Sequence, residues 1–130
     1  MKFLALIYND EHLYTDATPE DIAATFEAHG KFGQAAGEAG VFLGGEGLQP
    51  IATATTVRVR DDERMLTDGP YAETKEQLGG YYLLECKDLD DALNWAAQIP
   101  EAKTGAIEVR PIMDYAALES QAAGAESAAS

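Results

Sequence analysis

Lys2 to Tyr8 has no polar face: Phe3, Ala5 and Ile7 alternate with Leu4, Leu6 and Tyr8. A strand apolar on both sides is covered on both sides. Tyr81 to Cys86 has the same character. Thr53 to Arg60 alternates instead, with Val57 and Val59 against Arg58 and Arg60, and Ala106 to Ile112 does likewise, with Ile107 and Val109 against Glu108 and Arg110. Two helices separate these strands. Thr18-Pro19-Glu20-Asp21 supplies a cap, a first-turn proline and acidic residues at the positive end of the dipole. The helix then runs to about Ala39 and stops at Gly40, with Ile22, Phe26, His29, Gly33 and Ala36 on one stripe. Asp88-Leu89-Asp90-Asp91 opens the second helix, which turns Leu89, Ala92, Leu93 and Ala96 inward and ends near Ile99-Pro100.

The remaining segments are weaker. Asn9 to Ala17 reads as a polar loop, and Val41 to Gly44 as a short strand broken by Gly45-Glu46-Gly47. Asp61-Asp62 marks a turn, after which Arg64 to Thr67 returns as a hairpin arm. Asp68-Gly69-Pro70-Tyr71 is turn chemistry, and Ala72 to Leu78 is polar and indecisive. From about Ala116 the chain is Ala, Ser, Gly and Glu, which reads as a frayed helix or a flexible tail. The domain is therefore expected over 1–115 and the tail over 116–130.

The order strand, helix, several strands, helix, strand contains two crossovers, which put both helices on one face of one sheet. The expected fold is α+β: a ferredoxin-like protomer, an antiparallel sheet with two helices on one face. Its other face is apolar yet has no cover within the chain. A patch of several hundred Å² is unusual on a monomer. The expected solution is a homodimer, sheet against sheet.

Composition narrows the partners. The chain has 130 residues, 46% of them hydrophobic, enough for one domain with a core. Nine basic residues against 23 acidic give a net charge of −14. Nucleic acid and anionic membranes are disfavoured, because both select clustered Lys and Arg. Cys86 is the one cysteine, so no intrachain disulfide forms, and a reducing cytoplasmic location fits. Phe3 to Tyr8 is too short for a signal-peptide core or a membrane span.

A longer motif carries a family likeness. Thr67-Asp68-Gly69-Pro70-Tyr71-Ala72-Glu73-Thr74-Lys75-Glu76-Gln77-Leu78-Gly79-Gly80-Tyr81-Tyr82 resembles the signature of DGPF-domain proteins, within the wider YCII-related (YciI-like) family. Gly44 to Leu48, Ala54 to Arg58 and Glu108 to Pro111 are similar to the family pattern as well. Tyr71 departs from it, standing where the family usually has Phe. The resemblance spans Met1 to about Tyr115 and implies a dimeric α+β barrel. It implies no settled reaction. It does imply a His on the first helix and an Asp in a later loop meeting in a cleft, which match His29 and Asp68. It also implies a link to extracytoplasmic-function sigma factors.

Each candidate has a plain structural reading beside the functional one. His29 is either a core histidine held by one hydrogen bond or an acid/base whose tautomer a carboxylate fixes. Asp68 either closes an Asx-turn or orients His29. Tyr71, Glu73 and Lys75 form a solvated loop or a pocket mouth, where they would bind substrate. Arg58 and Arg110 pair with surface carboxylates or, inside a dimer, bind an acidic ligand. One of Tyr81 and Tyr82 faces a cavity, and Cys86 reads as a buried thiol. His12 and His29 do not make a metal set, and no nucleotide-binding motif is present, so no cofactor or metal is expected. The function expected is cofactor-free proton-transfer chemistry on a small molecule, of isomerase, lyase or hydrolase type. The alternative is a non-catalytic ligand- or protein-binding regulatory module.

Overall fold

The two strands that are apolar on both faces lie side by side at the centre of the sheet. The computed structural model describes residues 1–129, with side chains through 124. Its elements are β1 (Lys2–Asn9), α1 (His12–Thr15), α2 (Pro19–Glu38), β2 (Phe42–Gly47), β3 (Thr55–Arg60), β4 (Glu63–Asp68), β5 (Gln77–Glu85), α3 (Leu89–Ala96), β6 (Ala106–Pro111) and α4 (Tyr115–Ala129). Short 3-10 turns occupy Ile51–Thr53 and Pro100–Ala102. The main sheet has the order β2-β5-β1-β6 with antiparallel pairing throughout. This is the ferredoxin-like α+β arrangement that the element order predicts.

Helices α2 and α3 pack on one face. Phe3, Ala5 and Ile7 of β1 and Leu84 of β5 are buried against Phe32 and Ala36 of α2, and against Ala92, Ala96 and Ile99 at and after α3. Cys86 joins this core, and burial pushes its thiol pKa up. The opposite face carries Leu4, Leu6, Tyr8, Tyr81 and Leu83, all half-buried. Leu4 sits opposite Leu83, and Leu6 opposite Tyr81.

The start of α2 follows its sequence. The Asp21 amide donates to Thr18 Oγ1 at 3.2 Å, and the Thr18 amide donates to Asp21 Oδ2 at 3.4 Å, a reciprocal capping box. The helix stripe is displaced from expectation, however. Phe32 and Ala36 are buried, whereas Ile22 is 37% and Phe26 72% exposed. The N-terminal half of α2 stands clear of the core, and a cavity opens beside it. In α3 the inward residues are Ala92 and Ala96, with half-buried Trp95 packed beside them; Leu89 and Leu93 are exposed.

Three local expectations are corrected. The Asn9–Ala17 segment contains a helical turn, α1, with Asp10 Oδ1 accepting from the His12 amide at 2.9 Å. Gly45-Glu46-Gly47 does not break the strand but extends β2 along Tyr82, Tyr81 and Gly80 of β5. Glycine is what permits that approach, since a Cβ on Gly45 would lie 2.6 Å from Tyr82 Cδ1. The indecisive segment before Gly79 yields the first residues of β5, which starts at Gln77.

The hairpin β3–β4 forms, with Thr55 opposite Asp68 and Arg60 opposite Glu63. It is a separate two-stranded sheet, and Val57, Val59, Met65 and Leu66 are exposed on it. Helix α4 covers most of the expected tail, its side chains exposed as far as 124. Ser130 lies outside the described residues. Among the described residues no helix is long and apolar enough to cross a membrane.

Candidate acid-base site

His29 sits midway along α2, where the helix leaves the core, and its ring bridges two elements. Nε2 lies 2.6 Å from Glu101 Oε1, on the Pro100–Ala102 turn. Nδ1 lies 2.7 Å from the Tyr82 hydroxyl, on β5. A carboxylate only accepts, so Nε2 carries the hydrogen that reaches Glu101. In the neutral ring Nδ1 is then the acceptor, and the Tyr82 hydroxyl donates to it. Tyr14 of α1 donates its hydroxyl to the same Glu101 oxygen at 2.8 Å. The result is a chain of four groups, Tyr82, His29, Glu101 and Tyr14, drawn from four elements.

Glu101 is the buried member, at 4% exposure. Its Oε2 is buried and has no hydrogen-bond partner among the described residues, so Oε1 takes both bonds. Desolvation is the largest influence on this carboxyl and raises its pKa. The hydrogen bonds from His29 and Tyr14 outweigh that together and leave it below the ordinary carboxylate value. Tyr14 is pushed up to about 12, first by burial and then by its bond to Glu101. Burial, and next the Glu101 charge, raise Tyr82 also. Both phenols are thus neutral donors near pH 7.

The Tyr82 ring is fixed by packing. Phe32 lies 4.8 Å and Phe42 5.9 Å away between ring centroids. Next to this chain is a cavity of about 480 Å³, whose wall includes His29, Tyr82, Glu101, Tyr14, Phe26 and Leu48. Its volume suits a small organic molecule. Its rim is tied together: the Ile51 amide donates to Glu11 Oε1 at 2.7 Å, and the Glu11 amide to Gln77 Oε1 at 2.9 Å.

The carboxylate on His29 is therefore Glu101, where the expectation was Asp68. Both ring nitrogens are already engaged. Asp68 is exposed and ends β4, opposite Thr55. Gly69 next to it has φ of +104° and donates its amide to the Ala54 carbonyl at 2.7 Å, so the motif serves the open end of the hairpin, where the chain leaves β4. Tyr71 is 81% exposed, and the Arg58 guanidinium lies 5.3 Å from its ring centroid. Glu73 and Lys75 are exposed, as is Arg110 on β6 opposite Leu4. Within one chain, His29 and Tyr82 are brought to the cavity, while Asp68, Tyr71, Glu73, Lys75 and Arg58 belong to the hairpin and the loop after it.

The family model of the YCII-related domain matches residues 1–116. The chain belongs to the YCII-related family. An uncharacterized protein of Rhizobium meliloti (strain 1021) is 37% identical over 117 residues, covering 88% of this chain and 94% of that relative. Every member of the His29 chain lies within the matched YCII-related domain. Sequence reasoning missed Glu101 and Tyr14. Pro100 hints at a turn there, but nothing local says that the next residue is buried.

Proposed function

We propose that this YCII-related protein is a cofactor-free enzyme that moves a proton on a small molecule. His29 is the acid/base, and Glu101, in place of Asp68, holds its ring and tautomer. One observation carries the reading: an imidazole held between a buried carboxylate and a phenol, at the wall of a cavity of about 480 Å³. A histidine oriented in this way can hold and return a proton.

The test is solvent-proton exchange. A panel of small uncharged ketones, aldehydes and lactones is incubated with the protein in D2O, and deuteration at carbon is followed by NMR. At least one member exchanges with wild type, and His29→Ala slows that exchange by about a hundredfold or more. Equal rates for the two proteins across the panel count against catalysis. Saturable binding without exchange returns the protein to the ligand-binding regulatory reading.

The same reading includes a homodimer. The supporting observation is the outer sheet face, where Leu4, Leu6, Tyr8, Tyr81 and Leu83 remain half-buried with no further layer packed over them among the described residues. Sedimentation is expected to give about twice the 13.9 kDa chain mass, and Leu6→Glu to shift the particle to monomer, since a charge in a dry interface is strongly opposed. A wild-type particle that stays at the chain mass at every concentration removes this part.

A further inference from the structure

We infer that the group meeting the ligand is the Tyr82 hydroxyl rather than His29, and that it meets an uncharged hydrogen-bond acceptor such as a carbonyl oxygen. The inference rests on the acid-base reading of the same site and adds to it the contact atom and the ligand class. His29 has two ring nitrogens, and both are spent, one on Glu101 and one on Tyr82. The ring cannot reach a ligand without giving up one of them. Tyr82 is different. Its hydroxyl has one hydrogen and two lone pairs, only one interaction with His29 is assigned to it, and it belongs to the cavity wall.

The proton inventory closes without a phenolate. When the imidazole carries both protons, Nδ1–H donates to Tyr82 Oη, and the phenol hydrogen is free to turn to the ligand. Transfer then moves the phenol hydrogen to the ligand atom while the Nδ1 hydrogen moves to Oη. The phenol ends neutral, and the imidazole ends neutral with Nε2–H still on Glu101. The reverse sequence takes a proton from the ligand. A phenol whose ionisation is opposed by burial and by the Glu101 charge can serve this role, because it passes a proton on without keeping a charge.

Ligand class follows from what lines the cavity. None of the nine Lys and Arg residues is in its wall, whereas Glu11 and Glu101 are. A carboxylate or phosphate would enter with no Lys or Arg to receive it, beside the buried Glu101 carboxylate that already neutralises a protonated His29. The wall otherwise offers the apolar side chains of Phe26 and Leu48 and the ring of Tyr14, which suit an apolar body.

The test uses the full chain labelled with 13Cζ-tyrosine, and two probes of one shape, cyclohexanone and cyclohexanecarboxylate. Cyclohexanone is expected to shift the Tyr82 resonance saturably. Tyr82→Phe should weaken its binding at least about tenfold, the loss of one hydrogen bond in a half-closed site. Cyclohexanecarboxylate should bind at least about tenfold less tightly than the ketone in wild type. The amide spectrum of Tyr82→Phe reports whether that variant is folded, and the wild-type shift decides the matter if it is not. Ketone binding that survives Tyr82→Phe but is lost in His29→Ala overturns the role of the hydroxyl and leaves the His29 reading standing. Indifference to both substitutions overturns both. A Tyr82 signal unmoved by the ketone, or tighter binding of the carboxylate, also overturns the inference.

Discussion

Glu101→Ala unfolds at a markedly lower denaturant midpoint than wild type, with a loss of roughly 3 kcal/mol. The side chain is 5% exposed and accepts from His29 Nε2 at 2.6 Å and Tyr14 at 2.8 Å. Removing it leaves two donors in a half-closed site without the acceptor they were aimed at. Leaving buried polar groups unpaired costs more than the bond itself returned. His29 also loses what fixes its tautomer, so any exchange activity falls with stability. A Glu101→Ala protein as stable as wild type would show that solvent replaces the carboxylate at no cost, and the buried pair would lose its energetic meaning.

Glu101→Gln separates charge from shape. The amide oxygen can still accept from His29 and Tyr14, so the fold is better kept than in the alanine variant. The pH dependence then isolates the charge. The folded Glu101 carboxyl titrates below its ordinary value of 4.5. A group whose folded pKa is depressed contributes stability above its unfolded pKa and loses it as pH falls through the folded one. The gap between wild type and Glu101→Gln is therefore widest near neutrality and narrows below about pH 4.5. Equilibrium unfolding of the pair across pH 3 to 7 measures it. A gap that widens on acidification would have the sign wrong and would mean that burial, rather than His29 and Tyr14, dominates this carboxyl.

What could be read in the chain was what local patterning determines. β1 and the apolar part of β5 announce themselves because Phe3 to Tyr8 and Tyr81 to Leu84 are apolar in both parities, and only central strands require that. Thr18 and Asp21 announce the start of α2 because a cap is a contact over three residues. His29 was legible as an inward residue by its helical spacing. Glu101 was not, because its burial is made by partners 72 and 87 residues away in sequence. Asp68 shows the converse. Its motif signals a change of direction through Gly69 and Pro70, and the chain bends at Gly69, but such local chemistry does not say where a hairpin projects. β2 was misread at Gly45 to Gly47 because glycine has no side chain to show parity, while the pairing with β5 depends on that absence.

Gly105→Ala is the second large effect, and it reaches the site through the backbone. The Gly105 amide donates to the Glu101 carbonyl at 2.7 Å, closing the turn that carries the carboxylate. This turn is docked on the end of β1, where Asn9 Nδ2 donates to Thr104 Oγ1 at 3.0 Å and Tyr8 pairs with Ala106. A Cβ on Gly105 would be driven onto the Tyr8 carbonyl oxygen and would stand 3.0 Å from the Asn9 Cα. These are backbone atoms of a central strand, so no side-chain rotation relieves the overlap. Either β6 slides away from β1 or the turn lifts, and both displace Glu101 from His29. The expected loss is about 3 kcal/mol, or on the order of 10 °C in melting temperature for a chain of this size. The histidine ring signals of His29 should shift along with it. Gly37→Ala is the control: a Cβ there meets nothing within 4 Å, the residue is inside α2, and the variant should gain roughly 0.5–1 kcal/mol from helix propensity. If Gly105→Ala melts with wild type while Gly37→Ala behaves as stated, the turn is not wedged against β1, and the position of Glu101 must be fixed by Tyr14 and His29 alone.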